Sequence, residues 1–423
     1  MTVRTVQPGR AMGRVAAPPS KSYTHRAIVA AFLSSHRFSV EGPLDSDDTR
    51  ASATAVGRLG MAVSRSPRRW TFHPRRLSPR ARRIEVDCGE SGTTLRFVTV
   101  LAALGTRQVR FRGRGRLGSR PMAPLLDALR GLGAEIHPEP TGFPFIIRGP
   151  IHGGRVRLVA SESSQFTSAL LLALPTRTED SRILLEGRVV SEPYVDATLA
   201  TLRRFQVEVT RRGREFRIPG GQAIHGDRFQ VPGDASSAAY LWVAGAISGG
   251  PVTVTGVSAD WPQADRQVLH LLRRAGAEVR ESSTSVTVRS GSPRPFAMDL
   301  TSCPDLYPLA GVLAATLPGR SRLRGAAHVV HKESNRRTET ARIVRAFGAR
   351  VRVASDGLAI EGRSVPRPVD LRDLTDHRLV MSASVGALAA SGPSRIGVAE
   401  AVRKSFPGFW SALTDLGTEV ADR

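Results

Sequence analysis

The sequence predicts an α/β protein of two domains, each built from three copies of one βαβαββ unit. Three observations carry this. A helix ending in a hydrophobic-Gly step, then an alternating strand, recurs at Gly60, Gly133, Gln206, Gly276, Gly348 and Gly417. The steps between copies are 73, 73, 70, 72 and 69 residues, the mark of an internal repeat. Before each copy runs an apolar helix with a polar or Gly-rich start, followed by a short β-rich strand.

In chain order these helix–strand pairs read PSKSYTHRAIVAAFL to FSVEG, GESGTTLRFVTVLAAL to VRFRG, and ESSQFTSALLLAL to ILLEG. Then come GDASSAAYLWVAGAI to VTVTG, CPDLYPLAGVLAATL to SRLRG, and TDHRLVMSASVGALAA to SRIGV. Each unit thus reads helix, strand, helix, strand, strand, with a further strand leading in. The sixth stops at Arg423, short of its last strands. The N-terminal stretches VRTVQP and GRVAAP are strand-like and are expected to complete it. One domain would then be discontinuous, 1–18 plus 230–423, and the other would be 19–229. The chain should cross between them near Pro18–Ser20 and Phe229–Gly233.

Composition fits a folded protein. The chain has 423 residues, 41% of them hydrophobic, which suits packed cores and not disorder. No signal peptide or membrane-length apolar run is evident. Cys88 and Cys303 are isolated, as in a reducing cytoplasm. The histidines show no metal-ligand spacing, so no metal site is expected. The net charge of +24 raises nucleic-acid binding, but aromatics are only 5%, too few for base-stacking platforms. No nucleic-acid or membrane partner is required, and a cytoplasmic monomer is expected.

The kind of cation is more informative. Of 61 Lys and Arg, only Lys21, Lys332 and Lys404 are lysine. Arginine has replaced lysine wherever a positive charge suffices. The survivors mark positions that need a compact ammonium. All three fall where a helix is expected to start, as do Arg120 and Arg378. The helix dipole disfavours a cation there, and a bound anion would offset that cost. Asp47, Asp48, Asp234 and Asp265 read as ordinary helix caps.

These junction motifs resemble those of the EPSP synthase (3-phosphoshikimate 1-carboxyvinyltransferase) family. They are PPSKSYTHR at 18–26, CGESGTTLR at 88–96, SRP at 119–121, SSQF at 163–166, and SEPY at 191–194. Further on are PD at 304–305, HKESNRR at 331–337, DHR at 376–378, and RKSFPGF at 403–409. The resemblance covers essentially the whole chain, with the motifs in order. It implies the inside-out barrel of that superfamily, an active site in the cleft between domains that close on substrate, and no cofactor. The implied reaction, in aromatic amino acid and chorismate biosynthesis, joins shikimate 3-phosphate to phosphoenolpyruvate. The 5-hydroxyl adds to the enolpyruvyl double bond and phosphate is eliminated.

By resemblance, Ser22, Arg26, Ser163, Ser164, Ser191, Asp305 and Lys332 hold shikimate 3-phosphate. Gly92, Arg120, Arg336, Arg378 and Lys404 hold phosphoenolpyruvate, and Lys21 and Gln165 touch both. Asp305 accepts a proton, Glu333 donates one, and Lys21 also serves catalysis. Both substrates carry phosphate and carboxylate groups, which arginine forks suit. The sequence departs from the family's common forms at Glu90, Glu192, His328, Val330 and Asn335. Two other readings of the sequence stand beside this one. A UDP-aminosugar enolpyruvyl transferase usually carries a reactive Cys in the loop here reading RGRGRLGSR, which has none. An RNA-binding or RNA-end-processing protein on a related fold would account for the charge alone.

Overall fold

The computed structural model describes residues 2–75, 83–139 and 143–422. The chain forms two compact units, Met1–Pro18 with Pro232–Arg423, and Pro19–Val231. Each holds three four-stranded sheets of one design. In the second repeat the sheet order is Arg83–Asp87, Gln108–Arg112, Phe145–Arg148, Glu135–Pro138. The first pair is parallel and the other two are antiparallel. All six sheets repeat this order and these directions.

Strand patterning explains which face is wet. In Arg155–Val159 and Arg83–Asp87 every second side chain is buried, the period-2 signature of a half-buried sheet. The first helices lack a polar face. Tyr307–Ala315 is buried along its whole length and Ala235–Ser248 along most of it. In each unit the three such helices pack on one another while the sheets turn their polar faces outward. Among the described residues no helix is long and apolar enough to cross a membrane.

The glycine of the repeat has a local cause. Gly133, Gly276, Gly348 and Gly417 end helices in the left-handed conformation, at φ 104°, 88°, 87° and 78°. The N–H of Gly276 reaches Arg273 O and that of Ala277 reaches Leu272 O, capping the last carbonyls. In the third repeat Gln206 adopts φ 58° and makes the same closure through Val207 N to Leu202 O.

The N-terminal strands divide differently from the sequence expectation. Arg4–Val6 does complete the sixth repeat, lying between Ser394–Ile396 and Val420–Asp422. Gly13–Ala16 instead pairs in parallel with Pro251–Thr255 of the fourth repeat. Correspondingly, Arg228–Gln230 leads the first repeat, in parallel with Phe38–Glu41. Both strands immediately precede a passage between units, at Pro18–Pro19 and Val231–Pro232. Each stays in the unit the chain is leaving, so it pairs with a repeat distant in sequence.

Candidate active site

In the discontinuous unit the chemistry gathers around Asp305. This residue lies on the 3-10 turn Pro304–Leu306, just ahead of helix Tyr307–Ala315. Arg336 Nη1 donates to its Oδ1 at 2.8 Å, Arg378 Nη2 donates to its Oδ2 at 2.8 Å, and Lys332 Nζ lies 3.7 Å away. Arg336 opens helix Arg336–Ala346, and Arg378 is the second residue of helix His377–Ala387. Burial works against the Asp305 charge, but Arg378, Lys332 and Arg336 outweigh it and hold the carboxyl well below its usual range.

Arg336 is saturated by acids. It also donates to Glu333 at 2.7 Å and, through Nε, to Asp376 at 2.9 Å. Its side chain is 1% exposed and that of Asp376 is fully buried, whereas Asp305, Glu333 and Lys332 keep 14–21%. Asp376 caps its helix by accepting from Arg378 N at 2.9 Å. Burial raises its carboxyl, Arg336 and His377 lower it, and the net direction is downward. An anion reaching Arg336 would have to displace a carboxylate.

Asp265, which the sequence presents as a helix cap, belongs to this cluster. It sits buried on the 3-10 turn Ala264–Arg266. The Ser236 hydroxyl donates to it, and Arg378 Nη2 approaches that same hydroxyl at 3.4 Å. Burial first, then Asp305, push its carboxyl up to about 7. Only the signal of QAD, one more acid ahead of a helix, was available in sequence, and it is indistinguishable from a cap.

Not every cation stands at a helix start. Lys332 follows the 3-10 turn Ala327–His331, and Arg120 follows Gly115–Ser119. Lys404 ends the turn Ala399–Lys404, buried beside helix His377–Ala387. A cation at the C-terminal end of a turn meets partial negative charge, so no dipole penalty arises there. Of the five cations expected at helix starts, only Lys21 and Arg378 stand there, where the carboxylates of Asp48 and Asp305 face them.

The contiguous unit carries the other residues. Ser20 caps helix Lys21–Leu33, and Lys21 Nζ pairs with the carboxylate of Asp48 at 3.0 Å. Asp48 is thus a partner and not a cap, because Ser46 supplies the capping box of that helix. Arg26 donates to Ser22 Oγ at 2.6 Å, Thr198 Oγ1 at 2.9 Å and Tyr194 O at 2.6 Å. Its burial lowers its pKa to about 10. Arg96 Nη1 donates to Gln165 Oε1 at 2.7 Å, and Gln165 Nε2 to Thr93 Oγ1 at 3.0 Å. Ser163 caps helix Ser164–Ala173. Ser191 holds φ 54°, a strained conformation for a non-glycine residue.

Gly92 and Arg120 fit each other. A Cβ on Gly92 would lie 2.5 Å from Arg120 Cζ. Only a bare backbone lets the guanidinium lie on this helix start. The close approach that glycine allows is used here by Arg120.

Comparison with known proteins decides the family. The family model for EPSP synthase (3-phosphoshikimate 1-carboxyvinyltransferase) matches residues 6–413. The chain belongs to the EPSP synthase family. The 3-phosphoshikimate 1-carboxyvinyltransferase of Thermococcus kodakarensis is 39% identical over 417 residues, covering 98% of this chain and all of that one. The protein of the same name from Methanocorpusculum labreanum is 36% identical, over 97% of each chain. The EPSP synthase structure from Acinetobacter baumannii superposes with a TM-score of 0.82 at 25% identity, over the whole of both chains. The enolpyruvyl transferase NikO from Streptomyces tendae shares the fold, with a TM-score of 0.80 at 17% identity over 100% of this chain and 99% of that one.

Proposed function

We propose that this protein transfers the enolpyruvyl group of phosphoenolpyruvate to the 5-hydroxyl of shikimate 3-phosphate, releasing phosphate. The observation that carries the reading is Asp305 held between Lys332, Arg336 and Arg378, with Glu333 on the same Arg336. The reaction needs a proton taken from a hydroxyl and one delivered to a methylene carbon. Asp305, kept ionised, suits the first task, and Glu333, once released from Arg336 and protonated, the second.

Phosphoenolpyruvate brings a carboxylate that can compete for Arg336 and Arg378. On binding it would loosen Asp305 and Glu333 from those guanidiniums and free them for proton transfer. The hydroxyl oxygen then bonds to the enol carbon while the methylene gains a proton. In the second half the new methyl returns a proton to the Glu333 carboxylate, the carbon–oxygen bond to phosphate breaks, phosphate leaves with that bond's electron pair, and the enol ether remains. Lys21, Ser22, Arg26, Ser163, Ser164, Gln165, Ser191 and Lys332 would hold shikimate 3-phosphate. Gly92, Arg120 and Lys404 would complete the phosphoenolpyruvate site, with Lys21 and Gln165 touching both substrates.

The test is phosphate release from phosphoenolpyruvate on addition of shikimate 3-phosphate. Stoichiometric release that depends on both substrates, and that Asp305→Asn abolishes, is expected. No release with shikimate 3-phosphate, or release with a UDP-aminosugar instead, overturns the reading.

A further inference from the structure

We propose that the solvent face of the sheet in the fifth repeat is a separate binding site for a diphosphate anion. Strand Gly319–Arg324 turns Ser321 and Leu323 into the core. Arg320, Arg322 and Arg324 therefore all point outward, at the roughly 7 Å repeat of alternate strand residues. Two strands away, Arg352 points to the same face. Ala359 lies between them, opposite Arg322 on one side and Arg352 on the other. Small side chains at Ala359 and Ala354 leave a trough between two arginine walls, a cavity of about 260 Å³ that Asp356 also lines.

The charge on this trough is only partly offset. On other strands some outward arginines meet an acid across the ladder, as Arg157 meets Glu186 at 3.2 Å and Arg289 meets Glu278 at 2.7 Å. Here the acid opposite Arg320 is Glu361, which pairs with Arg350 at 3.5 Å. Asp299, beside Arg324, accepts from Thr301 N at 2.8 Å. Among the described residues, none of the four arginines lining the trough is within ion-pair distance of a carboxylate. Like charges held together lower stability unless an anion joins them. Four guanidiniums against the one carboxylate of Asp356 leave about three positive charges, the complement of a diphosphate near neutral pH. The trough faces away from the core helices, and none of its residues belongs to the Asp305 cluster.

The experiment is calorimetric titration of inorganic pyrophosphate into the full chain at fixed ionic strength, repeated with ADP and AMP. Arg322→Ser/Arg352→Ser is expected to weaken pyrophosphate binding at least about tenfold while phosphoenolpyruvate turnover stays as in the parent and the melting temperature without ligand does not fall. Lys332→Met should keep that binding event. ADP matching pyrophosphate assigns the site to organic diphosphates, and pyrophosphate alone to the free anion. The proposal falls if the double variant binds as the parent does, or if Lys332→Met abolishes the event. It falls also if AMP, or sulfate at matched ionic strength, binds equally well.

Discussion

The guanidinium of Arg336 lies 2.9 Å from the carboxylate of Asp376, and both side chains are buried. That pair anchors the start of helix Arg336–Ala346 to the start of helix His377–Ala387. Arg336→Ala would strand a buried carboxylate, at a cost of about 3–5 kcal/mol. Urea midpoints at neutral pH should show the loss in full. The Asp376 carboxyl is held below its unfolded value, so its contribution is present above that value and fades as pH falls through the folded one. The gap between variant and parent should therefore shrink in acid. An equal gap at all pH values would mean that the lost packing, and not the ion pair, set the cost.

Gly92→Ala tests the fit of Arg120. The new methyl group would require the guanidinium to move, since the contact would be 2.5 Å. If Arg120 holds phosphoenolpyruvate, KM for that substrate rises about tenfold with a smaller change in kcat, as expected for lost ground-state binding. An unchanged KM would remove Arg120 and Gly92 from the phosphoenolpyruvate site.

Asp265 gives a pH signature of opposite sign to Asp376. Its carboxyl is pushed up to about 7, first by burial and then by Asp305 and Asp234, against Arg378 and Lys332. A raised folded pKa favours the native state below the unfolded value, and that advantage is lost as pH rises through about 7. Asp265→Asn should therefore flatten the fall in melting temperature between about pH 5 and pH 8. The variant should gain most at the alkaline end. A gain that is the same at both ends would show that Asp265 does not titrate there.

Gln206 holds the left-handed conformation that glycine takes at the equivalent point of the other repeats. Gln206→Gly should raise stability by about 1 kcal/mol, since the strain exceeds the entropy that glycine adds to the unfolded chain. The reverse change, Gly276→Gln, should destabilise by more. There the left-handed strain is joined by a clash with the Ser292 carbonyl. Thermal unfolding of both variants checks the sign of each.

The sequence by itself determined the repeat, because hydrophobic period and a left-handed helix end are local properties. Helix, Gly (Gln206 in the third copy) and alternating strand could be counted six times without knowing what any of them touches. It also marked Lys21, Lys332 and Lys404 as the lysines kept by an arginine-rich chain, and the resemblance of short motifs to the EPSP synthase family pointed to Asp305, Glu333, Arg336 and Arg378. Tertiary structure alone decided the rest. That Gly13–Ala16 joins the fourth repeat and Arg228–Gln230 the first depends on pairing between residues far apart in sequence, which no local pattern encodes. Asp48 and Asp265 read as caps because an acid before a helix looks the same whether it meets a backbone N–H or a side chain. Only the fold set Asp48 against Lys21, and Asp265 beside Ser236 within reach of the Asp305 charge.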